Sequence, residues 1–414
     1  MQLLLKNISQ LVTVRSDGKP SKTLATMRDV GVIENATALI EDGTFRWIGP
    51  AGKFNLPLID DVHTIDASGL VALPGFVDSH THLVFAGSRE NEFAMRADGK
   101  SYQEIADQGG GILSTVKATR AAEKKELKSL ASKRLDAMLQ HGTTTVEIKS
   151  GYGLNEETEM TMLRTIDELT KEHFMTVVST FLGAHAIPPE YKSNPNAYIE
   201  LLRERMLPYI ANKKLARFCD VFCEKGYFSV EQSRTILAKA RSMGLELKVH
   251  ADELSASGGS RLAAEMKAVS ADHLEHIDDS GIEALKSAGV VAVLLPGVSF
   301  FLRHAYARAR NLIDAGVPVA IASDFNPGSC MSFSMPMMMT IACTQMGMTP
   351  EEAITACTLN GAAALKLTNV VGSIEVGKQA DIVLYDVPNY RYLAYHFGVN
   401  PVKTVIKRGI VLEF

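Results

Sequence analysis

Eight short apolar segments alternate with segments of helical periodicity through the middle of this 414-residue chain. Helical periodicity is clearest over residues 156–173 and 229–243, where apolar side chains recur at a spacing of three to four. Eight β-α repeats predict an α/β fold of the TIM type, a parallel (β/α)8 barrel with its active site at the carboxyl ends of the strands. The predicted strands cover residues 71–78, 143–148, 176–182, 218–223, 246–249, 268–273, 290–295 and 318–323.

The two ends of the chain have a different texture, with short strand-like runs separated by turn residues. These runs cover residues 3–14, 36–40 and 45–48 at the start, and 380–385, 402–407 and 409–412 at the end. Neither piece is long enough to bury a core by itself, so pairing of the two is the economical arrangement. We therefore expect a small composite β-sandwich domain from residues 1–72 and 372–414, and a barrel over residues 73–371.

Composition limits the kinds of partner. A formal net charge of -4 and a pI near 6.3 argue against nucleic acid and anionic membranes, which usually select basic proteins. The dense basic stretch at 120–134 is interleaved with acidic and apolar residues, and we interpret it as the solvated face of an amphipathic helix. No apolar run approaches the roughly 18 residues of a membrane span, and the start lacks a basic leader. Five cysteines without a CxxC pair favour a reducing, cytoplasmic location.

Histidines gather at the ends of the predicted strands. His80 and His82 close the first strand, and alternate residues of a strand project to the same side. Two imidazoles that converge at a strand end can hold a divalent metal. Further candidates follow the third, fifth, sixth and eighth predicted strands, and these are His185, His250, His273 and Asp324.

Three imidazoles and one carboxylate make a plausible ligand set for zinc or ferrous iron, namely His80, His82, His250 and Asp324. Taken singly, each of them could instead be a satisfied core histidine or a capping aspartate. Their shared placement favours one metal, which would lower the pKa of bound water toward ~7. Asp324 could both touch that metal and accept the proton of the water.

Other polar residues lie close to these candidates in the sequence. Glu253 follows His250 by three residues, where a carboxyl could shuttle a proton between water and a substrate nitrogen. Alternatively, Glu253 is an acidic residue at a helix N-terminus, where the helix dipole favours it. Arg89, in a loop after the histidine pair, suits bidentate capture of a carboxylate. Candidate pocket residues in later loops are Tyr152, Asn326, Gly328 and Ser329, of which the last three would also suit a turn.

The order of these residues resembles the amidohydrolase superfamily of metal-dependent hydrolases. A His-x-His pair, two later histidines and a final aspartate occur in that order, and residues 372–381 resemble the superfamily's return into its composite β domain. The closest resemblance is to the group that opens the imidazolone ring in histidine degradation. The shared segments are residues 74–91, 147–154, 182–185, 249–253, 271–276 and 323–329.

This resemblance implies hydrolysis of the cyclic amide of 4-imidazolone-5-propanoate to N-formimidoyl-L-glutamate. It implies that His273 or His185 helps the metal to stabilise the oxyanion, while Glu253 or Asp324 protonates the departing nitrogen. Arg89 and Tyr152 would hold the propionate. Which of Glu253, His273 and Asp324 first takes the proton of the water stays open.

The resemblance leaves three alternatives. Some relatives hold two metals that are bridged by a ligand from the fourth strand. Glu224 follows that strand and could serve as such a ligand, whereas Lys149 follows the second strand and could not. We favour a single metal. A purine or pyrimidine deaminase of the same superfamily is the nearest rival, but a neutral base offers Arg89 no partner. A non-catalytic scaffold is a further alternative. The expected partner is a small-molecule substrate. The sequence does not distinguish zinc from iron as the metal, and it leaves open whether the protein is a homodimer.

Overall fold

The structure is a computed structural model that describes residues 2–100, 104 and 109–413. Two sheets organise it. The barrel sheet contains β6 to β13, which are Phe76–Asp78, Thr143–Lys149, Thr176–Ala184, Phe218–Cys223, Glu246–Ala251, Ser270–His273, Val291–Leu294 and Val319–Ile321. The terminal sheet contains β1 to β5 and β14 to β16, which are Gln2–Val12, Val32–Glu41, Thr44–Pro50, His63–Asp66, Val71–Pro74, Ile382–Tyr385, Val402–Lys407 and Ile410–Leu412.

The barrel strands pair in parallel and in chain order from β6 to β13. Closure comes just beyond the ends of the first and last strands. The backbone N–H of Asp324 donates to the carbonyl of His80 at 3.0 Å, and that of His82 donates to the carbonyl of Phe325 at 3.0 Å. The predicted barrel is confirmed, and two candidate metal ligands, His80 and Asp324, lie at its seam.

The predicted strand over residues 71–78 is wrong as a single element. Val71–Pro74 pairs with the two chain ends in the terminal sheet, whereas Phe76–Asp78 belongs to the barrel. The chain changes sheets at Gly75, where a Cβ atom would lie 2.2 Å from Oγ1 of Thr144. Only glycine fits this close approach, and the continuous apolar run hides the change in sequence.

The terminal sheet joins both ends of the chain, as predicted for the composite β region. Val71–Pro74 pairs antiparallel with Ile382–Tyr385 on one side and parallel with Gln2–Val12 on the other. A separate apolar cluster that includes Leu5, Ile382 and Ile406 covers it. The sequence did not predict the short strand His63–Asp66, since its side chains are mostly exposed.

The described α-helices, α1 to α15, surround the barrel and complete its loops. They are Glu90–Ala97, Ile112–Ala121, Lys124–Gln140, Glu156–Glu172, Pro195–Leu201, Leu207–Lys213, Val230–Ser242, Gly259–Glu265, Asp279–Ala288, Pro296–Leu302, Ala309–Ala315, Met335–Gln345, Pro350–Cys357, Leu359–Ala363 and Tyr392–Tyr395. A π-helical turn, Leu202–Met206, connects α5 to α6. Among the helices so described, none has the length and apolar character of a membrane span.

The basic stretch at 120–134 does not form one solvated helix face, as the sequence had suggested. It spans two helices, Ile112–Ala121 and Lys124–Gln140, and Arg134 points inward. The Arg134 guanidinium donates to the carbonyls of Leu83 and Phe85 at 2.8 Å each, and its carbon lies 3.6 Å from the centroid of the Phe85 ring. Arg134 thus supports the loop that follows the histidine pair, a long-range role that charge patterning does not reveal.

Candidate active site

The predicted site residues meet in one cavity of about 630 Å³ at the carboxyl ends of the barrel strands. Those that line it are His82, Arg89, Tyr152, His185, His250, Glu253, His273, Asp324, Asn326, Gly328 and Ser329. His80 is fully buried beside the cavity. Sequence reasoning missed several other lining residues, which are Glu92, Arg96, Lys100, Ile112, Phe222, Tyr227, Leu254, Leu302 and His304.

Three histidines converge as a metal site requires. One ring nitrogen from each of His80, His82 and His250 lies within 4.8 Å of the others, and all three side chains are buried. Nδ1 of His80 lies 2.7 Å from Oδ2 of Asp272, and Nδ1 of His250 lies 2.9 Å from Oδ2 of Asp220. Such carboxylates favour the tautomer whose Nε2 is free to bind a metal.

Asp324 lies against two of these histidines. Its Oδ1 lies 3.3 Å from Nε2 of His80 and 3.3 Å from Nε2 of His82. Its Oδ2 accepts hydrogen bonds from Nδ2 of Asn326 at 2.9 Å and Oγ of Ser329 at 3.0 Å. The Asp324 backbone has a φ of 51°, in the left-handed region that few residues other than glycine adopt.

The donor set fits a divalent metal. Within the described residues, several polar atoms of this group are buried without a partner of hydrogen-bond geometry, and they are Nε2 of His80, Nδ1 of His82, both ring nitrogens of His250, and Oδ1 of Asp324. Nδ1 of His250 has the 2.9 Å contact with Asp220 only. Buried polar atoms normally have partners, so a cluster of unsatisfied lone pairs indicates a ligand. Three imidazole nitrogens and one carboxylate oxygen are suitable ligands for a divalent transition metal.

Glu253 and His273 form a charged pair at the edge of the histidine group. Oε2 of Glu253 lies 3.5 Å from Nε2 of His273, and Oε2 of Glu275 lies 3.7 Å from Nδ1 of His273. Burial raises the pKa of Glu253 to about 7. Burial alone would lower the pKa of His273, but the carboxylates of Glu253 and Glu275 outweigh it and raise that pKa to about 10. A buried carboxyl with a pKa near neutrality can exchange a proton in either direction.

His185 is electrostatically different from His273. Burial lowers the pKa of His185 to about 3, so its ring is neutral. Its Nδ1 lies 3.0 Å from the carbonyl oxygen of Gly151, and because a carbonyl only accepts, Nδ1 must donate. Nε2 of His185 is then an acceptor and is unsuited to stabilise an oxyanion. Of the two histidines considered for that role, the geometry favours His273.

Tyr152 lies in a loop that is fixed from both sides. Glu159, fully buried, accepts backbone N–H groups of Gly151, Gly153 and Leu154 at 2.7–3.1 Å. From the other side, the Arg120 guanidinium donates to the carbonyl of Gly153 at 2.6 Å and to that of Leu154 at 3.2 Å. This loop places the Tyr152 ring 5.7 Å from the His82 ring, and the same loop supplies the carbonyl that orients His185.

Arg89 immediately precedes helix Glu90–Ala97 and lines the same cavity as the histidines. Its Nη2 donates to Oε2 of Glu92 at 2.6 Å, and Oε1 of Glu92 accepts the backbone N–H of Gly111 at 3.1 Å. A Cβ atom at Gly328 would lie 2.1 Å from Nη1 of Arg89, so glycine makes room for the guanidinium. The Arg-x-x-Glu spacing in a helical first turn was the one sequence signal for Glu92, and it is common on any helix surface.

Glu224 and Lys149, the residues weighed for a second metal, have other partners. Glu224 accepts from the backbone N–H groups of Leu254 and Ser255 at 3.0 and 3.2 Å, which fixes the loop that carries Glu253. Lys149 donates to Glu147 and Asp220 at 2.8 Å each, beneath the histidines. These contacts favour a single metal.

Comparison with known proteins agrees with this geometry. The sequence matches the model of the amidohydrolase family over residues 71–412. It is 50% identical to imidazolonepropionase of Shouchella clausii, with 99% of this chain and 93% of that protein covered. It is also 50% identical to imidazolonepropionase of Parabacteroides distasonis, with 99% and 98% covered.

Solved structures share the fold at much lower identity. A triazine hydrolase variant superposes with a TM-score of 0.77 at 16% identity, covering 99% of this chain and 94% of that chain. An adenosine deaminase from Xanthomonas campestris with bound zinc gives a TM-score of 0.72 at 18% identity, covering 99% and 92%. The motif resemblance is therefore confirmed, and this chain belongs to the amidohydrolase family and, within it, to the group of imidazolonepropionases.

Proposed function

We propose that this enzyme hydrolyses the ring amide of 4-imidazolone-5-propanoate and releases N-formimidoyl-L-glutamate. Water adds to the ring carbonyl carbon, the C–N bond breaks with a proton going to the departing ring nitrogen, and the carbonyl carbon becomes a carboxylate of the single product. The single observation that carries the proposal is a cavity whose lining combines a histidine-rich metal site with a half-buried arginine, Arg89. The relatives named imidazolonepropionase support the same substrate.

His80, His82, His250 and Asp324 would hold one zinc or iron ion. When bound, such an ion lowers the pKa of water and polarises a carbonyl, which supplies a nucleophile near neutral pH. The Asp324 carboxylate has one oxygen among the histidines and the other in hydrogen bonds to Asn326 and Ser329. This arrangement suits a fixed ligand better than a mobile proton acceptor.

Glu253 is the better proton carrier of the two carboxylates. It lines the cavity, and its pKa of about 7 lets it take a proton from water and give it to the departing ring nitrogen. Beside it, the cationic His273 can donate a hydrogen bond to the oxygen that becomes negative as water adds. The neutral His185 offers Nε2 to a ring N–H and thereby orients the substrate.

Arg89 would hold the propionate of the substrate. Glu92 occupies one terminal nitrogen of its guanidinium, and Nε is buried with no hydrogen-bond partner in the described part of the chain. A carboxylate that pairs with the remaining N–H groups would satisfy them. Tyr152, Asn326, Gly328 and Ser329 line the same cavity and complete the contacts to the substrate. Arg89 disfavours a deaminase acting on a neutral base, which brings no carboxylate.

Purified protein should be stripped with a chelator and reloaded with Zn²⁺ or Fe²⁺ in parallel. Loss of 4-imidazolone-5-propanoate and formation of N-formimidoyl-L-glutamate are then followed, with release of ammonia from purines and pyrimidines as the rival assay. We expect ring opening with the reloaded protein and none with the stripped protein. Turnover of the purine or pyrimidine bases alone would overturn the proposal. The metal whose reloading restores the higher activity is then assigned to the site.

We further propose a cytoplasmic enzyme acting on a small molecule, without nucleic acid or membrane as a partner. All five cysteines are free, and four of them are buried, which suits a reducing compartment. Fractionation of cells that express the chain would test the location, and a homodimer stays a prediction for light scattering.

A further inference from the structure

Five charged side chains lie inside the barrel beneath the metal histidines, and we call them the ion cluster. Each is fully buried, and they are Glu147, Lys149, Asp220, Lys248 and Asp272. Removing so many charges from water is costly, and apolar side chains of similar size often stabilise a fold equally well. The contacts of the ion cluster indicate that it serves the metal site.

Lys149 occupies the centre of the ion cluster. Its Nζ lies 2.8 Å from Oδ2 of Asp220 and 3.6 Å from Oδ2 of Asp272. The same Oδ2 atom of Asp220 lies 2.9 Å from Nδ1 of His250, and that of Asp272 lies 2.7 Å from Nδ1 of His80. One ammonium group therefore contacts both carboxylates that orient metal histidines.

We propose that Lys149 is a positioning residue for the metal site, which sets the orientation of His80 and His250 together through Asp272 and Asp220. A histidine binds a metal more tightly through Nε2 when an acceptor holds its Nδ1 proton and fixes the ring. An ammonium between the two acceptors balances their charges and fixes where their oxygens lie. Without it, Asp220 would lose the cation beside its Oδ2, and Asp272 would keep only Lys248. The Oδ1 atoms would still accept their hydrogen bonds, but the Oδ2 atoms that face the histidines would be held less firmly.

Lys248 touches only part of this arrangement. Its Nζ donates to the carbonyl of Ser79 at 2.9 Å, and it lies 3.5 Å from Oδ2 of Asp272 and 3.4 Å from Oε1 of Glu147. It therefore supports the carboxylate behind His80, and its ion pairs among the described residues are with Glu147 and Asp272 and not with Asp220. Its loss should disturb the metal site less than the loss of Lys149.

The chain offers a matched control in Lys407. This lysine is also fully buried and paired, since its Nζ lies 2.6 Å from Oδ2 of Asp381 and 2.8 Å from Oγ1 of Thr176. It belongs to the terminal strand Val402–Lys407, which pairs with Ile382–Tyr385 outside the barrel sheet. Replacing it removes a comparable buried ion pair that touches neither metal histidine.

The test measures metal affinity in Lys149→Met, Lys248→Met and Lys407→Met. Each protein is stripped and titrated with Zn²⁺ against a chromophoric chelator, and the visible spectrum of the Co²⁺ form reports the ligand geometry. Loss of outer-shell partners usually weakens metal binding ~10- to 100-fold. We expect that loss in Lys149→Met with a changed Co²⁺ spectrum, a smaller loss in Lys248→Met, and wild-type affinity in Lys407→Met.

Unchanged affinity and spectrum in Lys149→Met would overturn the proposal. Equal weakening in Lys149→Met and Lys407→Met would overturn it as well, because the effect would then follow from general destabilisation. Thermal unfolding of the metal-free proteins shows whether each variant folds. If Lys149→Met does not fold, the comparison of Lys248→Met with Lys407→Met decides, and equal affinities in that pair would reject the role of the ion cluster.

Discussion

The two walls of the cavity are built in different ways. On the metal wall, His80, His82 and His250 lie at or just beyond strand ends, and carboxylates from other barrel strands contact two of them. The rest of the lining, which we call the Arg89 wall, includes Arg89 at a helix start and Tyr152 in a loop. Glu92 and Glu159 hold these two in place through a few hydrogen bonds each.

This difference separates what must stay fixed from what must adapt. Metal ligands tolerate little displacement, and strands inside a barrel supply that rigidity. The residues proposed to bind the propionate of the substrate lie in loops, where a few contacts can determine which substrate binds. Substitutions on the metal wall should therefore abolish the reaction, whereas those on the Arg89 wall should weaken binding in graded steps.

The largest effect is expected from removal of the histidine pair. His80→Ala combined with His82→Ala takes away two of the proposed ligands, so the protein should lose both its metal and its activity. Elemental analysis measures the metal per chain, with His63→Ala at an exposed position as the control. Near-stoichiometric metal in the double variant would contradict the ligand assignment.

Loss of the proton carrier comes next. Glu253→Gln should keep its metal but lower kcat by ~100-fold or more, the usual scale for a general acid-base group. Glu253 must be ionised to accept a proton, and its pKa is about 7, so wild-type kcat/KM should fall as the pH drops below that value. This acidic limb should vanish in the variant. Near-normal turnover in Glu253→Gln would remove Glu253 from the mechanism.

Arg89→Ala should act on binding and spare the metal. Leaving the substrate carboxylate without its bidentate partner should cost about 2–5 kcal/mol, seen as a sharp rise in KM. Arg89→Lys should recover only part of this, since an ammonium lacks the planar fork. Wild type should discriminate strongly against an analogue whose propionate is a neutral amide, and Arg89→Ala should hardly distinguish the two. Equal discrimination by both proteins would place the carboxylate elsewhere.

The smallest effect is expected at Glu92. Glu92→Gln keeps the shape but weakens a charge-assisted hydrogen bond to Arg89, so KM should rise by a few-fold, corresponding to about 1 kcal/mol. Glu90→Gln is the matched control, because Glu90 contacts Ser88 and not Arg89. Steady-state kinetics with the acid and the amide analogue should show the rise for the acid alone. A rise for both analogues would point to a general disturbance of helix Glu90–Ala97.

The same contrast explains how much the sequence predicted. Sequence reasoning could predict the metal-site candidates because strand periodicity and the barrel topology place them at one end of the sheet, and they are His80, His82, His250 and Asp324. Their buried partners, Asp220 and Asp272, sit within the strands and look like ordinary strand residues in sequence. Pairings such as Asp272 with His80 link positions 192 residues apart, and local patterns carry no information about them.

On the Arg89 wall, sequence reasoning found the side chains that face the cavity but not those that hold them. Asn326 and Ser329 were predicted as substrate contacts, and the structure shows that they also fix Asp324. Glu159 fixes the Tyr152 loop through backbone N–H groups, a role that depends on loop conformation. That conformation follows from tertiary packing, which is why propensity and spacing could not supply it.

The most direct test of the account is hydrolysis in water enriched in ¹⁸O. The metal-loaded protein is given 4-imidazolone-5-propanoate, and the product is analysed by mass spectrometry and by an assay for ammonia. We predict N-formimidoyl-L-glutamate with one ¹⁸O atom, located in the carboxylate formed from the ring carbonyl, and no ammonia. A product without the label, or ammonia released from an unopened ring, would contradict the assignment of this site to cyclic-amide hydrolysis.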